Sequence, residues 1–335
     1  MGEQDWAQVV ETATRAPSIH NTQPWIFVAG PDRLDVFLDP ARVLRVIDPS
    51  RRQQVLSCGT AVEFAVVALR ATGAAVAVEL LPDAGSPDHL AALRVTGERE
   101  VTEEDRAGLA AVAGRHTARE AFVARAVPAE LVEELAGATR GTGVWIKQIT
   151  REEEEVATAF LVSRAEELEQ RDPEYLAELQ HWVRSDPDAV DGVPLAALPE
   201  GDPATRPSNW LVRDFVAGQH ERRTFRPPEN PDAPAPEVER PTVLLLGTGN
   251  DDRAAWLDTG RALARLLLRA TRAGVAASPL TQALDWPATR QQLRNRLHLL
   301  GHPQMMLRMG YPADGDGAGV VSGRRPVGEV LRFVP

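Results

Sequence analysis

The stretch TRAPSIHNTQPWIF, Thr14 to Phe27, leaves an amphipathic segment through Pro17 and Ser18 and presents His20 and Asn21. It reaches a strand only after Gln23, Pro24 and Trp25. A plain connection takes about 4–6 residues, and this polar excursion spends roughly eight, so a ligand is expected there. Its hydroxyl, imidazole and carboxamide are groups that hydrogen-bond the polar edge of a bound molecule. A second cluster, GRHTAREAF from Gly114 to Phe122, sets Arg115, His116, Thr117 and Arg119 within five residues. Guanidinium groups bind oxyanions in bidentate, charge-assisted pairs, so this segment could grip a phosphate, although composition alone favours a basic surface turn. Arg324 and Arg325 form a third basic spot near the C-terminus.

Other constellations carry less. Ser18 and His20 lack the strand, Gly-x-Ser-x-Gly and helix of a hydrolase elbow. His298 and His302 are four apart, but Gly301 and Pro303 break any helix between them, so no zinc site is expected. GTGNDD, Gly247 to Asp252, lacks the third glycine of a dinucleotide fingerprint and reads as a turn with Asp251 or Asp252 at a helix cap.

The whole chain bounds the answer further. A net charge of -11 argues against nucleic-acid or acidic-membrane binding, since phosphate backbones need a basic face. Cys58 is the only cysteine, which excludes an internal disulfide. The N-terminus has no basic and apolar leader pattern, and no run approaches the roughly 20 apolar residues of a membrane span. A cytoplasmic protein is expected.

These residues must be positioned by elements that recur. ATR ends amphipathic segments at Ala13–Arg15 and Ala138–Arg140, and LRAT closes apolar segments at Leu69–Thr72 and Leu268–Thr271. Their shared order predicts two divergent copies of one helix and strand unit. The first copy, residues 1–100, carries a helix near 4–15, a hairpin around Gly30-Pro31-Asp32, a buried helix at 53–72 and strands near 75–81 and 91–96. The second, 101–335, carries helices near 103–113, capped by Thr102 with Asp105, and near 128–139. Strands are expected at 144–149, 242–247 and 304–310, with a long helix at 252–273. Each copy mixes helices with strands, so the fold class is α+β, with buried helices covering sheets. The second copy is interrupted at about 151–241 by a charged helical stretch and a Pro-rich segment. That insertion is either a solvated arm or a lid, with Trp182, Trp210, Phe215 and Phe225 as docking anchors.

At this point the motifs take on a family likeness. APSIHNTQPWIF resembles the nitroreductase family's APS-x-x-N-x-QPW-x-F segment, RHTAREAF its phosphate-binding segment, and GRRPVGEVL its C-terminal ending. ASPLTQ, Ala277 to Gln282, sits where that family places the loop facing the flavin N5 edge. Ordinary members are homodimers with two FMN sites, each shared between subunits. The double-length chain with complementary halves is similar to the Acg-type subgroup, in which a single-chain pseudo-dimer replaces the dimer.

The resemblance implies one FMN site built across the halves, and a pseudo-symmetric position that is empty. Arg115, His116, Thr117, Arg119, Arg324 and Arg325 would hold the phosphate. Pro17, Ser18, His20 and Asn21, with Ser278, Pro279, Leu280, Thr281 and Gln282, would line the ring. It further implies hydride transfer from NAD(P)H through the flavin to a nitroaromatic, quinone or similar small acceptor, with FMN or a deazaflavin as the ring. No side-chain acid is required; His20 is either a proton donor or a residue that bonds the ring and packs the turn. The other function class is a flavin-holding protein without turnover, in which the insertion shuts the site. The chain would act as a monomeric pseudo-dimer or a weak homodimer.

Overall fold

The computed structural model describes residues 1–198, 208, 210, 213–215, 239–313 and 320–334. Phe225 and most of the Pro-rich stretch lie outside the described residues. The first half opens with α1 (Glu3–Thr14), whose indole Trp6 is buried in the core, and continues into the hairpin β1 (Trp25–Ala29) and β2 (Arg33–Leu38). β2 alternates buried and half-buried residues, the period-two pattern of a strand with one face on the core. Then come α2 (Arg52–Ala71), β3 (Ala74–Leu80) and β4 (His89–Glu98).

The second half begins with α3 (Glu103–Gly114), started by a reciprocal cap between Thr102 and Asp105. After α4 (Ala129–Ala136) and β5 (Val144–Ile149), the chain enters α5 (Glu152–Arg171) and α6 (Pro173–His181). Four glutamates fill the first turn of α5, where the helix dipole favours negative charge. A short parallel pair, β6 (Val183–Arg184) and β7 (Val193–Pro194), follows. The chain returns through β8 (Thr242–Thr248), α7 (Arg253–Arg272), β9 (Ala276–Pro279), α8 (Gln282–Asp285), α9 (Pro287–Arg296) and β10 (His302–Gly310), and ends in α10 (Val327–Val330) and β11 (Leu331–Phe333). Asp252 caps α7 by accepting the amide of Ala255, while Asp251 instead ties Arg290, Trp256 and Gln304 together.

Two sheets result. One runs β11-β1-β2-β4-β3 and the other β5-β8-β10-β9. In both, four strands taken in chain order lie in space as first, second, fourth and third, with the long helix inserted between the second and third. β11 adds a parallel fifth strand to the first sheet, beside β1. The sequence pattern missed β11, which is too short to show a period, and read 277–282 as loop where β9 pairs with β10.

The long helices α2 and α7 cross at the centre. Gly59 lies against the carbonyl of Leu257, and Gly260 against the carbonyl of Leu56. The reciprocity matches Gly59 with Gly260 and Leu56 with Leu257, each pair 201 residues apart, as are the starts of the two helices at Arg52 and Arg253. The LRAT match pairs positions 199 apart, so it is two residues out of register with the packing. Beside the crossing, Glu63 of α2 is 2% exposed and is neutralised by Arg261 (3.0 Å) and Arg265 (2.7 Å) from α7. By length and composition α2 reaches the hydropathy of a membrane span, which the sequence reading had not assigned to any run, yet 83% of its apolar window is buried inside the protein.

The described part of the insertion docks on this body. Trp182 and Phe215 pack with Leu44, Ile47, Tyr175 and Leu179, and Trp210 packs in a separate cluster against Leu161, Leu245 and Met306.

Candidate functional site

A cavity opens beside the crossing of α2 and α7. Gln53, Leu56, Ser57 and Thr60 of α2 form one wall, and Leu263 and Leu267 of α7 a second. The apolar floor includes Met305 and Leu307 of β10. The rim carries Pro17, Ser18, Ile19 and His20 from the first half, and Arg115, His116, Thr117 and Arg119 from the second. Ala277, Ser278 and Pro279 of β9, with Thr281 and Gln282, line a further side, and Arg213 and Phe215 of the insertion complete it.

The rim is strained and firmly held. His20, Asn21 and Gln23 have φ of 45°, 54° and 50°, a left-handed run that non-glycine residues rarely adopt. Such strain persists where the surroundings over-determine it. Here the Ile19 amide donates to Ser57 Oγ (3.0 Å), Thr60 Oγ1 donates to the Pro17 carbonyl (2.7 Å), and the Gln23 amide donates to Ser18 Oγ (3.0 Å). Gln23 Nε2 donates to the carbonyl of Val190, and Asn21 Nδ2 donates to those of Gly192 (3.0 Å) and Gly323 (3.1 Å). The carboxamide of Asn21 therefore clamps the turn to the insertion and to the C-terminal segment. Asn21 lines the adjoining cleft and not the main cavity.

His20 Nε2 is buried without a hydrogen-bond partner, and the ring meets Phe215 edge-on at 5.5 Å. Burial, with Arg213 and Arg119 nearby, holds its pKa well below the ordinary value, so the imidazole is neutral. Beyond it lies a cationic end. Burial lowers Arg115 and Arg119 to about 10 and Arg324 to about 9, the last also repelled by Arg115 and Arg15. Arg115 Nε and Arg324 Nε have no partner, and among the described residues no aspartate or glutamate lines either the cavity or the adjoining cleft. Buried cations without a counter-charge are costly, and an anionic ligand relieves that cost. Thr117 is fixed by a parallel bridge to Ala277, with the Ala118 amide donating to the Ala277 carbonyl, so the arginine segment and β9 move as one.

Of the other expected residues, Arg324 lines the adjoining cleft and not the main cavity, and two line neither. Leu280 is fully buried in the core behind the cavity, its amide donating to the Met306 carbonyl. Arg325 pairs with Asp39 (3.1 Å) and donates to the Gln23 carbonyl (3.3 Å), so it braces the rim. Residues missed by the sequence reading are Gln53, Ser57 and Thr60 of α2 and Leu263 and Leu267 of α7, all hidden within an apolar helix pattern, and Arg213. Nothing in the sequence marks Arg213 among 36 arginines.

Arg213 is held by a buried acidic group: its Nη2 donates to Glu169 (3.0 Å) and Asp285 (2.8 Å), while the Asp214 amide donates to Glu166 (2.8 Å). Burial pushes Glu169 up to about 8 from 4.5, and Asp48, beside the start of α2, up to about 7 from 3.8. Both bind protons more tightly folded than unfolded. Their stabilising contribution is complete below the unfolded values and is lost as pH rises through about 7 and 8. Thermal melts across that window should show a falling midpoint, and Asp48→Asn should flatten the fall; an identical pH profile in the variant would remove Asp48 as its source.

No family model matches the chain. The Mycobacterium tuberculosis H37Rv protein "Putative NAD(P)H nitroreductase Rv3131" is 35% identical over 312 residues, 92% of this chain and 86% of that one. The acg protein of the same strain, also named an NAD(P)H nitroreductase with the same qualifier, is 31% identical over 96% of this chain and 93% of its own length. Among solved structures, the FMN-dependent nitroreductase NfnB of Mycobacterium smegmatis in complex with NADPH aligns at 20% identity, over 69% of this chain and 99% of that one, with a TM-score of 0.41. With relatives this similar along nearly their whole length, the chain belongs to the nitroreductase family, in its Acg-type branch.

Proposed function

We propose that this protein is an FMN-dependent oxidoreductase that takes hydride from NAD(P)H and delivers it to a small acceptor such as a nitroaromatic or quinone. The observation that carries the reading is the half-buried, carboxylate-free arginine group at one end of a cavity with leucine-rich walls, with the Nε atoms of Arg115 and Arg324 buried and unpartnered. A flavin mononucleotide has the matching shape: an anionic phosphate at one end and a flat ring with polar edges at the other. The bound flavin supplies two-electron chemistry, and the protein supplies position and electrostatics. Arg115, Arg119 and Arg324 would hold the phosphate, with Thr117 adding a hydroxyl. Leu263, Leu267 and Leu56 would flank the ring, while Ser18, His20, Ser278, Thr281 and Gln282 offer hydrogen bonds to its edges. Neutral His20 can donate one such bond but carries no ready excess proton.

The duplication is part of the same proposal. Matching strand orders, the reciprocal glycine crossing of α2 and α7, and a site that draws its rim from one half and its arginines from the other support a single-chain pseudo-dimer with one flavin per chain. Purified protein loaded with FMN and freed of excess should release one flavin per chain on denaturation. A chain that retains none would remove the reading, and two per chain would remove the single shared site.

A second reading, flavin holding without turnover, is favoured by one observation. Phe215 and Arg213 of the insertion line the cavity, and Phe215 touches the His20 ring and stacks under the Arg119 guanidinium at 5.7 Å. If this lid shields the ring, Phe215→Ala should speed flavin reduction by NADPH by roughly tenfold or more, the effect of about 1.4 kcal/mol on a barrier. Equal rates in wild type and variant would show that Phe215 does not gate access.

A further inference from the structure

Three of the four arginines of the repeated motifs LRAT and ATR lie outside the flavin site, while Arg15 lines the cleft adjoining it. Arg70 closes the first LRAT helix, Arg269 the second, and Arg140 ends the second ATR. The fold brings all three to one cleft of about 650 Å³, between the C-terminal halves of α2 and α7 and the start of α3. This cleft shares no lining residue with the flavin cavity.

Charge within it is unbalanced in an informative way. Arg265 is committed to Glu63 (2.7 Å), Arg272 to Glu104 (2.6 Å), and Asp105 to Arg99 (2.7 Å). Among the described residues no carboxylate pairs with Arg70, Arg140 or Arg269, and Glu134 is the one remaining acid in the lining. In a chain with 48 acidic and 37 basic residues, three unpaired guanidiniums gathered in one concavity run against the overall balance. Arg140 and Arg269 also converge: both guanidiniums come within 3.7 Å of the point where a side chain on Gly137 would begin. Three guanidiniums against one carboxylate leave two positive charges for a ligand. The cleft is in the size range of small-molecule pockets and larger than a single phosphate needs.

We infer that this cleft is a second anion site, and that it takes a diphosphate group, free or as part of a nucleotide. Arg140 and Arg269 grip one phosphoryl group in charge-assisted pairs over the Gly137 backbone, and Arg70 faces the same space from α2. The inference stands apart from the flavin reading, since it uses none of the same residues.

The test is calorimetric titration of the full chain with inorganic pyrophosphate and, separately, with ADP. Both are run with FMN in excess, so that any phosphate grip in the main cavity is filled. Saturable binding is expected, weakening with salt, and weakening roughly tenfold or more in Arg140→Gln and in Arg269→Gln. Tighter binding of ADP than of pyrophosphate would identify a nucleotide as the source, and equal binding the free anion. Among the described residues these arginines have no ion-pair partner to lose, so the variants should melt with the wild type; if either fails to fold, Arg70→Gln tests the opposite wall. No saturable binding to wild type, or binding that survives the Arg140→Gln, Arg269→Gln double variant, would overturn the site. A chain that takes up no FMN would sink the flavin reading alone and leave this titration valid.

Discussion

Arg119→Ala should lower FMN affinity roughly 10- to 150-fold if, as proposed, it holds the phosphate, since a charge-assisted hydrogen bond is worth about 1.5–3 kcal/mol. The same substitution should not destabilise the flavin-free protein, and should raise its melting temperature. Arg119 is half-buried, desolvation lowers its pKa to about 10, and among the described residues its side chain packs on the Phe215 ring. Removing a partly desolvated cation that has no counter-charge relieves the ligand-free fold while it weakens the ligand-bound one. This opposition of signs separates a ligand-binding arginine from a structural one. Calorimetric FMN titration and thermal melts of the flavin-free chain measure the two halves of the expectation. Unchanged FMN affinity, or a fall in flavin-free stability with affinity intact, would assign Arg119 to the framework.

The second large effect falls on the helix crossing. Gly260→Ala places a methyl group 2.0 Å from the Leu56 carbonyl oxygen, and Gly59→Ala one 2.4 Å from that of Leu257. Both obstacles are backbone, which no side-chain rotation can move aside, so the helices must separate. Overpacking of this kind costs about 1–3 kcal/mol where side chains can yield, and more here. The melting temperature should fall by at least about 4 °C for a chain of this size. Because α2 and α7 also form two walls of the cavity, FMN retention should fall with it. A Gly260→Ala protein that melts and binds FMN like the wild type would mean that the crossing is looser than the structure has it.

The sequence was most legible where local chemistry and fold agree. α2 and α7 were visible as long apolar runs, the hairpin of β1 and β2 as alternation around a Gly-Pro turn, and the start of α3 as a capping pattern. Packing register was not visible: LRAT repeats at a spacing two residues from the one the glycine crossing uses, because a four-residue match cannot report which face of a helix meets its partner. In the site, the contiguous segments 17–21 and 115–119 could be read because their polar side chains interrupt apolar surroundings. Asn21 and Arg325 were assigned by motif to the ligand, yet here they hold the rim through backbone carbonyls and Asp39, contacts that bridge distant parts of the chain. Arg213 could not be found at all, since its importance comes from Glu169 and Asp285, which only the fold gathers around it.

The measurement that bears most directly on the central claim is anaerobic mixing of the FMN-loaded wild-type protein with NADPH and then NADH, following the visible flavin band. The account predicts bleaching by at least one donor, and recovery of the band when a quinone or nitroaromatic is added. A band that persists with both donors yet bleaches with dithionite would contradict it, and would leave a protein that holds flavin behind its insertion without turning it over.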